Sequence, residues 1–271
     1  MLPSTLPDLR HPILQQLESV HHQQHFGKGI GPSALGNPCD RSIWYKFHWA
    51  DYTTIPARIT RLFERGNTVE AAIIKQLIEI GIPITGQQLK KQTAQGHITS
   101  YIDAIAEFLP DISPDPHIIE IKSANDKYFK SIRKNGIEKA MHTYFVQDQI
   151  YMTMHGIPNS LLIICNKNDD SLHIEDIPSD NSTGAQYLER GVYIINQQEP
   201  GKRIATNLQY MCTWCPYREI CLENKPMIKN CRTCRYSEPI PEGKWHCNKR
   251  NKLITKLFAK KGCSKYKPRK S

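Results

Sequence analysis

The feature that most constrains this chain is the spacing of cysteines near its C-terminal end. Four of its nine cysteines follow the pattern Cys231-x2-Cys234-x12-Cys247-x15-Cys263. A close pair followed by two further thiols fits a closed tetrahedral zinc site, and His246 is an alternative to Cys247 as ligand. A segment of about 45 residues with few large apolar groups can hardly fold without metal. We therefore expect residues 225–271 to form a small zinc module.

A second set of cysteines lies upstream of that module. Cys212, Cys215 and Cys221 supply three soft ligands close together, and Cys39 could supply a fourth from far upstream. Four thiolates suit either an iron–sulfur cluster or zinc, and the spacing leaves both open. The remaining Cys165 follows an apolar run and is expected to be a small core residue.

The cysteines, together with motifs that the sequence lacks, indicate the cellular compartment and exclude several kinds of partner. Cysteine-rich metal sites are typical of a reducing compartment, where disulfides do not persist. No apolar run approaches the roughly 18 residues of a membrane span, and the first residues lack a signal-peptide pattern. No GxxxxGK[ST] phosphate loop is present, so a nucleotide cofactor is not expected. The sequence predicts a cytoplasmic protein without a membrane partner.

The positive charge is concentrated at the C-terminal end. Residues 225–271 hold 15 of the 36 Lys and Arg but only 2 of the 26 Asp and Glu. A concentrated basic segment is typical of a polyanion binder, because phosphate contacts release condensed counterions. We expect DNA contacts from Lys249, Arg250 and Lys252, with Trp245 and Tyr266 stacking on bases; the alternative is a solvated tail.

The apolar pattern predicts alternating helices and strands. Asn67 to Ile80 is expected to be a helix with Asn67 as N-cap. Isoleucine-rich segments and turn signals predict four strands and two further helices; the strands are 97–108, 117–122, 161–165 and 172–177, and the helices are 137–155 and 184–197. This order predicts an α/β fold, with a mixed central sheet flanked by helices.

Three charged residues stand out within the predicted strands. The strand period of two places Glu120 and Lys122 on one face, while Ile119 and Ile121 point to the other. Asp103 lies in an otherwise apolar strand, and a lone buried acid is costly unless it is paired or binds metal. Neighbouring strands could bring Asp103 and Glu120 within reach of one divalent cation. The structural alternative is a cross-strand ion pair.

These groups match the needs of phosphodiester hydrolysis. Attack on a phosphodiester builds negative charge on oxygens that a metal and a lysine can neutralise. Lys122 would orient the attacking water or stabilise that charge. Mg²⁺ or Mn²⁺ held by Asp103 and Glu120 would activate the water and steady the leaving oxygen.

Residues 39–221 resemble the RecB-like exonucleases of the PD-(D/E)XK superfamily, which include CRISPR-associated and phage-borne members. The matching parts are Gly66-Asn67-Thr68-Val69-Glu70, Ser100-Tyr101-Ile102-Asp103, Glu120-Ile121-Lys122 and Gln147 to Tyr151. Glu70 stands where many members carry histidine, and Ser100 stands where a glycine commonly precedes the metal aspartate. The resemblance implies a restriction-endonuclease-like core within residues 1–224.

The resemblance also implies residue roles. Catalysis falls to Asp103, Glu120 and Lys122, with assistance from Glu70 and with DNA or active-site contacts from Gln147 and Tyr151. Gln147 and Tyr151 lie four residues apart and share a helix face. Glu70 has a structural alternative, a capping box with Asn67. Relatives with one cysteine upstream and three downstream carry a 4Fe–4S cluster, which favours that cofactor at Cys39, Cys212, Cys215 and Cys221.

The sequence therefore favours a metal-dependent DNA nuclease, preferably an exonuclease, that acts in recombination, repair or phage or CRISPR DNA processing. A helicase or recombination protein is an expected partner, because the chain has no motor motif of its own. The alternative is a non-catalytic, metal-stapled DNA-binding or assembly protein that retains the nuclease fold.

Overall fold

The computed structural model describes residues 11–19, 27, 29–52 and 55–270. Its α-helices are α1 (Pro12–Ser19), α2 (Pro32–Leu35), α3 (Asp40–Phe47), α4 (Ala57–Glu79), α5 (Asp126–Asn135), α6 (Ile137–Ala140), α7 (His142–His155), α8 (Asn181–Asn196), α9 (Arg218–Leu222) and α10 (Lys256–Lys261). None of the helices in these ranges combines the length and apolar character that crossing a membrane requires.

The strands are β1 (Ile84–Thr85), β2 (Leu89–Thr93), β3 (Ile98–Ile102), β4 (Ala104–Ala106), β5 (His117–Ala124), β6 (Asn159–Asn166), β7 (Leu172–Pro178), β8 (Ser237–Ile240), β9 (Lys244–Cys247) and β10 (Lys252–Ile254). The central sheet has the order β1-β4-β5-β6-β7, in which only β5 and β6 run parallel. β2 pairs with β3 in a separate ribbon.

Helices cover both faces of the central sheet. On one face, Ile119 and Ile163 pack with Ile73 and Leu77 of α4. On the other face, residues of even number in the same strands pack with α5 and α7, as Leu162 does with Met152. The strand period of two therefore assigns alternate residues to two cores. The predicted α/β fold, with a mixed central sheet between helices, is confirmed.

Several boundaries differ from the sequence prediction, and the helix expected at 137–155 is divided at Met141 into α6 and α7. The expected strand 97–108 is interrupted at Asp103, where β3 leaves the central sheet to pair with β2. The helix expected at Asn67 begins at Ala57, directly after Pro56, so Asn67 is mid-helix and its N-cap assignment is wrong. Gly66 costs helix propensity but does not end a helix that is anchored at both ends.

The C-terminal segment forms a three-stranded sheet with the order β10-β9-β8, followed by α10. Its contacts reach residues 47–50: the N–H of Ile228 donates to the carbonyl of Ala50 at 2.9 Å, and Arg232 Nη1 donates to the carbonyl of Phe47 at 3.0 Å. Trp245 joins the core cluster of Phe47. The Arg232 guanidinium lies 3.9 Å from the ring centroid of Trp49 and 4.9 Å from that of Trp245.

The burial of Trp245 corrects one sequence expectation. The side chain is only 4% exposed, and its ring lies 5.1 Å from that of Phe47, centroid to centroid. Neither face of an indole packed in this way is available to a base, so Trp245 serves as a core residue here.

Candidate active site

Asp103 occupies the point at which β3 and β4 separate. The pairing of Ala104 with Ile119 on β5 brings Asp103 beside the next residues of that strand. The N–H of Ile121 donates to Asp103 Oδ2 at 2.9 Å, which fixes the carboxylate against β5. Burial raises the pKa of Asp103, while the Ile121 N–H and the charge of Lys122 act in the opposite direction.

Glu120 lies at the floor of the site and is only 1% exposed. Its Oε1 accepts a hydrogen bond from Gln147 Nε2 at 2.9 Å and forms an ion pair with Lys122 Nζ. Its Oε2 is buried with no hydrogen-bond partner among the described residues. Burial raises the pKa of Glu120 to about 7; Lys122 opposes this shift, and Asp103 adds to it. A buried carboxylate with a free oxygen is a strong candidate ligand for a cation.

Lys122 points from the same strand face toward the same carboxylate. Burial alone would lower its pKa, but the charge and hydrogen bond of Glu120 outweigh burial and raise it. The ammonium is therefore protonated at neutral pH. It also lies 5.7 Å from the ring centroid of Tyr144, so it is bounded on one side by an aromatic face.

Gln147 and Tyr151 on α7 support Glu120 from beneath. Gln147 Nε2 uses one hydrogen for Glu120 and the other for the Tyr151 hydroxyl, at 2.7 Å. Burial, followed by the nearby charge of Glu120, raises the pKa of Tyr151, which keeps the phenol neutral. Both side chains are therefore brought to the site, and Tyr151 reaches Glu120 only through Gln147.

Glu70 enters the site from α4. Its Oε1 accepts a hydrogen bond from Gln88 Nε2 at 2.7 Å, and burial together with the charge of Asp103 raises its pKa. Because α4 begins well upstream, at Ala57, Glu70 cannot satisfy an N-terminal backbone donor. The capping-box alternative is wrong for this reason.

These side chains border one cleft of about 540 Å³. Glu70, Asp103, Lys122 and Gln147 line it, and the pKa of each of the three predicted catalytic acids is raised. Across the described ranges, however, no three His, Cys, Asp or Glu side chains are gathered in a group that could hold a metal ion as they stand. At the catalytic centre, Lys122 is the group that pairs with Glu120.

Two polar residues of the site were missed by sequence reasoning. Asp148 is fully buried on α7, and burial together with the charge of Glu120 raises its pKa well above the usual range. Gln88 binds Glu70 through its side chain, and its N–H donates to the carbonyl of Asp103 at 3.1 Å. The polar run Gln147-Asp148-Gln149, which lies between Val146 and Ile150, was the available signal for Asp148. Gln88 lies in a turn that gave none.

The first cysteine set meets around a second cavity. Cys39, Cys212, Cys215 and Cys221 all line a space of about 490 Å³, together with Arg41, Arg203 and Arg218. Burial raises the pKa of the Cys39 thiol, and the nearby thiols of Cys215 and Cys221 add to the shift. Residues from opposite ends of the sequence are thus brought to one place.

The second cysteine set surrounds a much smaller space. Cys231, Cys234, Cys247 and Cys263 line a cavity of about 20 Å³. Burial and the three other thiols raise the pKa of Cys231 to about 11. His246 does not line this cavity and instead contacts Asn248, with Nδ1 and Oδ1 2.8 Å apart. The geometry therefore favours Cys247 over His246 within this set.

The predicted DNA-binding residues of the C-terminal segment lie on its surface, apart from Trp245. Lys249, Arg250 and Lys252 are exposed. Tyr266 is half-buried, and its hydroxyl donates to Thr233 Oγ1 at 3.3 Å, which holds its polar end.

Comparison with known proteins gives weak likenesses only. No family model matches the chain, and no curated protein matches it. The solved structures of similar shape include the protein SSO0001, with 16% identity, coverage of 78% of this chain and 94% of that one, and a TM-score of 0.47. An alkaline exonuclease from Laribacter hongkongensis shows 16% identity, coverage of 66% and 90%, and a TM-score of 0.44.

A phage-related exonuclease from Haemophilus somnus shows 17% identity, coverage of 49% of this chain and 67% of that one, and a TM-score of 0.36. TM-scores below 0.5 do not carry a functional assignment. Any such assignment must therefore rest on the geometry of the cleft itself.

Proposed function

We propose that this chain is a metal-dependent deoxyribonuclease of the PD-(D/E)XK type. The observation that carries the proposal is that Asp103 and Lys122 line one cleft and that Glu120 pairs with Lys122 directly behind it. Glu120 Oε2 is buried and unpartnered among the described residues. An ordinary structural ion pair does not require a second buried acid and a free carboxylate oxygen beside it.

The site residues suit Mg²⁺ or Mn²⁺. Asp103 and Glu120 would hold the ion, and Glu70 lies close enough to influence Asp103 electrostatically. Both cations prefer oxygen ligands and retain water. Bound there, the ion would act as a Lewis acid and lower the pKa of a water molecule. Burial is the largest reason that the pKa of each of the three acids is raised, and a bound cation would favour their charged forms.

The protein's own groups would then act on the phosphodiester. Lys122, protonated and directed into the cleft, would neutralise charge that develops on a phosphate oxygen. Gln147 holds Glu120 Oε1 in place, and Tyr151 holds Gln147. These two residues are positioning groups, since their hydrogen bonds link them to Glu120 and to each other.

The cavity of the first cysteine set suits a 4Fe–4S cluster. Four thiols line it, and three arginines on its wall would balance the negative charge of thiolates and cluster. Anaerobically purified protein should be brown and contain iron, and Cys39→Ser should bleach it; protein with zinc and no iron at this site would favour the zinc alternative.

The cavity of the second set suits a zinc ion. Its four thiols come from the start, the middle and the end of the segment, and its volume of about 20 Å³ leaves no room for a cluster. We propose a four-cysteine zinc module within residues 225–271 beside a nuclease core within residues 1–224, with Lys249, Arg250, Lys252 and Tyr266 contacting DNA. All nine cysteines are free, which supports a reducing, cytoplasmic location.

Labelled DNA incubated with pure protein and Mg²⁺ or Mn²⁺ tests the function. We expect metal-dependent cleavage with release of nucleotides from ends, as for an exonuclease that acts in recombination, repair or phage or CRISPR DNA processing, with a helicase or recombination partner. A protein that binds DNA but never cuts it would instead be the non-catalytic assembly protein. The double variant Glu120→Gln with Lys122→Ala is the control for contaminating nucleases.

A further inference from the structure

One wall of the cleft is a face of α4 that leads away from the catalytic acids. Ile59, Leu62, Phe63 and Gly66 line the cleft with Glu70, and their spacing of three and four residues places them on one helix face. The stripe from Ile59 to Glu70 is about 16 Å long at 1.5 Å per residue. Phe63 is 58% exposed, although apolar side chains of this size are usually covered.

Three cations flank this apolar stripe. Arg58 and Arg65 lie two turns apart on α4, and Arg65 Nη2 donates to the carbonyl of Lys167 at 2.6 Å. Lys167 itself lines the cleft, directly after β6. Burial and the charges of Arg65 and Arg58 lower the pKa of Lys167, so the three groups are close enough to repel one another.

These cations have no carboxylate partner within the part of the chain that the structure describes. No Asp or Glu oxygen in those ranges lies within 4 Å of Arg58, Arg65 or Lys167. By contrast, Arg61 on the same helix pairs with Glu18 at 2.6 Å. Clustered cations without a counter-ion raise the local potential, which an anion relieves.

We propose that Arg58, Arg65 and Lys167 form a phosphate subsite for the DNA strand in the cleft, and that Phe63 stacks on a base beside that phosphate. The inference rests on the proposed function, because it takes the cleft to hold DNA. A strand alternates anionic phosphates with flat apolar bases, and the wall alternates cations with an exposed ring in the same way. The side wall of a duplex offers phosphates but no accessible base face, so the base at Phe63 is an unpaired one.

Binding measurements test the phosphate subsite without requiring cleavage. A short fluorescent single strand is titrated with full-length protein at several salt concentrations, without added divalent cation. Lys167→Gln and Arg58→Gln should each weaken binding and reduce the slope of log K against log salt by about 0.7. Lys134→Gln, an exposed lysine on α5 outside the cleft, should leave the slope unchanged. Arg65 is left intact because it holds the backbone of Lys167.

An abasic strand of the same length tests whether the ring of Phe63 stacks on a base. Phe63→Ala should weaken binding of the normal strand about tenfold and leave binding of the abasic strand unchanged, while Phe63→Trp should retain the affinity. Tyr193→Ala is the matched control, because Tyr193 is 59% exposed on another helix, α8. Unchanged melting temperatures exclude unfolding as the cause.

Two results would overturn the subsite: an unaltered salt slope in the Lys167→Gln, Arg58→Gln double variant, or equal losses for normal and abasic strands with Phe63→Ala. Failure of the proposed function reads out separately, as absence of metal-dependent cleavage by the unaltered protein. If the variants lose binding as expected but the unaltered protein never cleaves DNA, the phosphate subsite is supported and the proposed nuclease function is not.

Discussion

At the scale of single residues, the buried carboxylate of Glu120 dominates the site. Its surroundings combine full burial, a pKa of about 7, and one oxygen without a partner among the described residues. Glu120→Gln removes the negative charge but keeps the shape of the side chain, and its amide oxygen can still accept the hydrogen bond from Gln147. The variant therefore isolates the role of the charge. Replacing Lys122 removes only the cation that offsets it.

We predict that Glu120→Gln and Lys122→Ala each lower the cleavage rate by at least about 100-fold, as expected for groups that stabilise charge at the transition state. Single-turnover cleavage of labelled DNA measures this. Circular dichroism and melting should show a folded protein in both cases. Near-normal, metal-dependent cutting by either variant would remove the catalytic assignment.

Metal affinity should depend on pH around the titration of Glu120. Its pKa in the folded protein, about 7, lies above its ordinary value of 4.5. The metal-free fold therefore holds a proton that the unfolded chain has released, and its stability falls as pH rises from 4.5 through 7. A metal must displace that proton, so the affinity for Mn²⁺ should rise about tenfold between roughly pH 6 and pH 8.

Thermal shifts at graded Mn²⁺ concentrations measure this dependence. Glu120→Gln, which has no carboxyl to titrate, is the control and should give a flat, weak response across the same range. Stabilisation by Mn²⁺ that is equal at both ends of this pH range in the unaltered protein would show that Glu120 does not limit metal binding.

The residues of this centre could be predicted from the sequence because the alternation of side chains along a strand is a local property. Glu120 and Lys122 are two residues apart, so their shared face follows from the pleat alone. Asp103 was predictable as a costly acid in an apolar strand. Gln88 was not predictable, and only the polar run that contains Asp148 pointed to that residue. Their roles depend on which turn and which helix pack against those strands, and contacts distant in sequence decide that.

At the scale of elements, the sheet and helices were largely predictable and the start of α4 was not. Apolar residues of period two and period 3.6 identify β5, β6, β7 and α8 within a few residues. The first turns of α4 are rich in charge and contain Gly66, so their pattern resembles a loop. They are helical nonetheless, and they carry the wall that faces the cleft.

The packing of α8 on α7 gives a prediction at this scale. A Cβ added at Gly184 would lie 1.9 Å from Thr153 Oγ1 and 2.6 Å from the carbonyl oxygen of Gln149. Gly184→Ala should therefore push α8 away from α7 and lower the stability by about 1–3 kcal/mol. Because α7 also holds Gln147, cleavage should fall as well.

Gly66→Ala is the matched control, since a Cβ there meets nothing within 4 Å. It removes a glycine from the interior of α4 and should raise the stability by about 0.5–1 kcal/mol. Chemical denaturation of both variants measures the difference. Equal stability of Gly184→Ala and the unaltered protein would mean that the two helices do not pack closely.

At the scale of the whole molecule, the C-terminal segment has two separate surfaces. One is a core surface: Arg232 and Trp245 pack against Phe47 and Trp49. The other is the exposed basic surface of Lys249, Arg250 and Lys252. The charge composition predicts the exposed basic surface. It does not predict the core surface, because contacts between residues so far apart in sequence leave no local pattern.

Deleting residues 225–271 would therefore confound DNA binding with loss of the core. We predict that the triple variant Lys249→Gln, Arg250→Gln, Lys252→Gln keeps its melting temperature and binds DNA with a salt slope that is smaller by about 2–3 on a duplex. Cys234→Ser should instead lower the melting temperature, because a metal-stabilised segment loses a ligand.

Salt-dependent binding and thermal melting of these two variants separate the two surfaces. An unchanged salt slope in the triple variant would show that the exposed basic surface does not contact phosphates. An unchanged melting temperature for Cys234→Ser would show that the segment folds without its metal.

The contact between Phe47 and Trp245 cannot form until late in the synthesis of the chain. At about 5–20 residues per second, a ribosome needs roughly 10–40 seconds to pass from Trp49 to Trp245. During that interval Phe47 and Trp49 have been synthesised, whereas Trp245, which packs on Phe47, has not. A nascent chain that pauses before residue 245 would therefore expose these aromatic side chains to chaperones. Phe47 is synthesised early, but it reaches its final packing only when the C-terminal segment has been made.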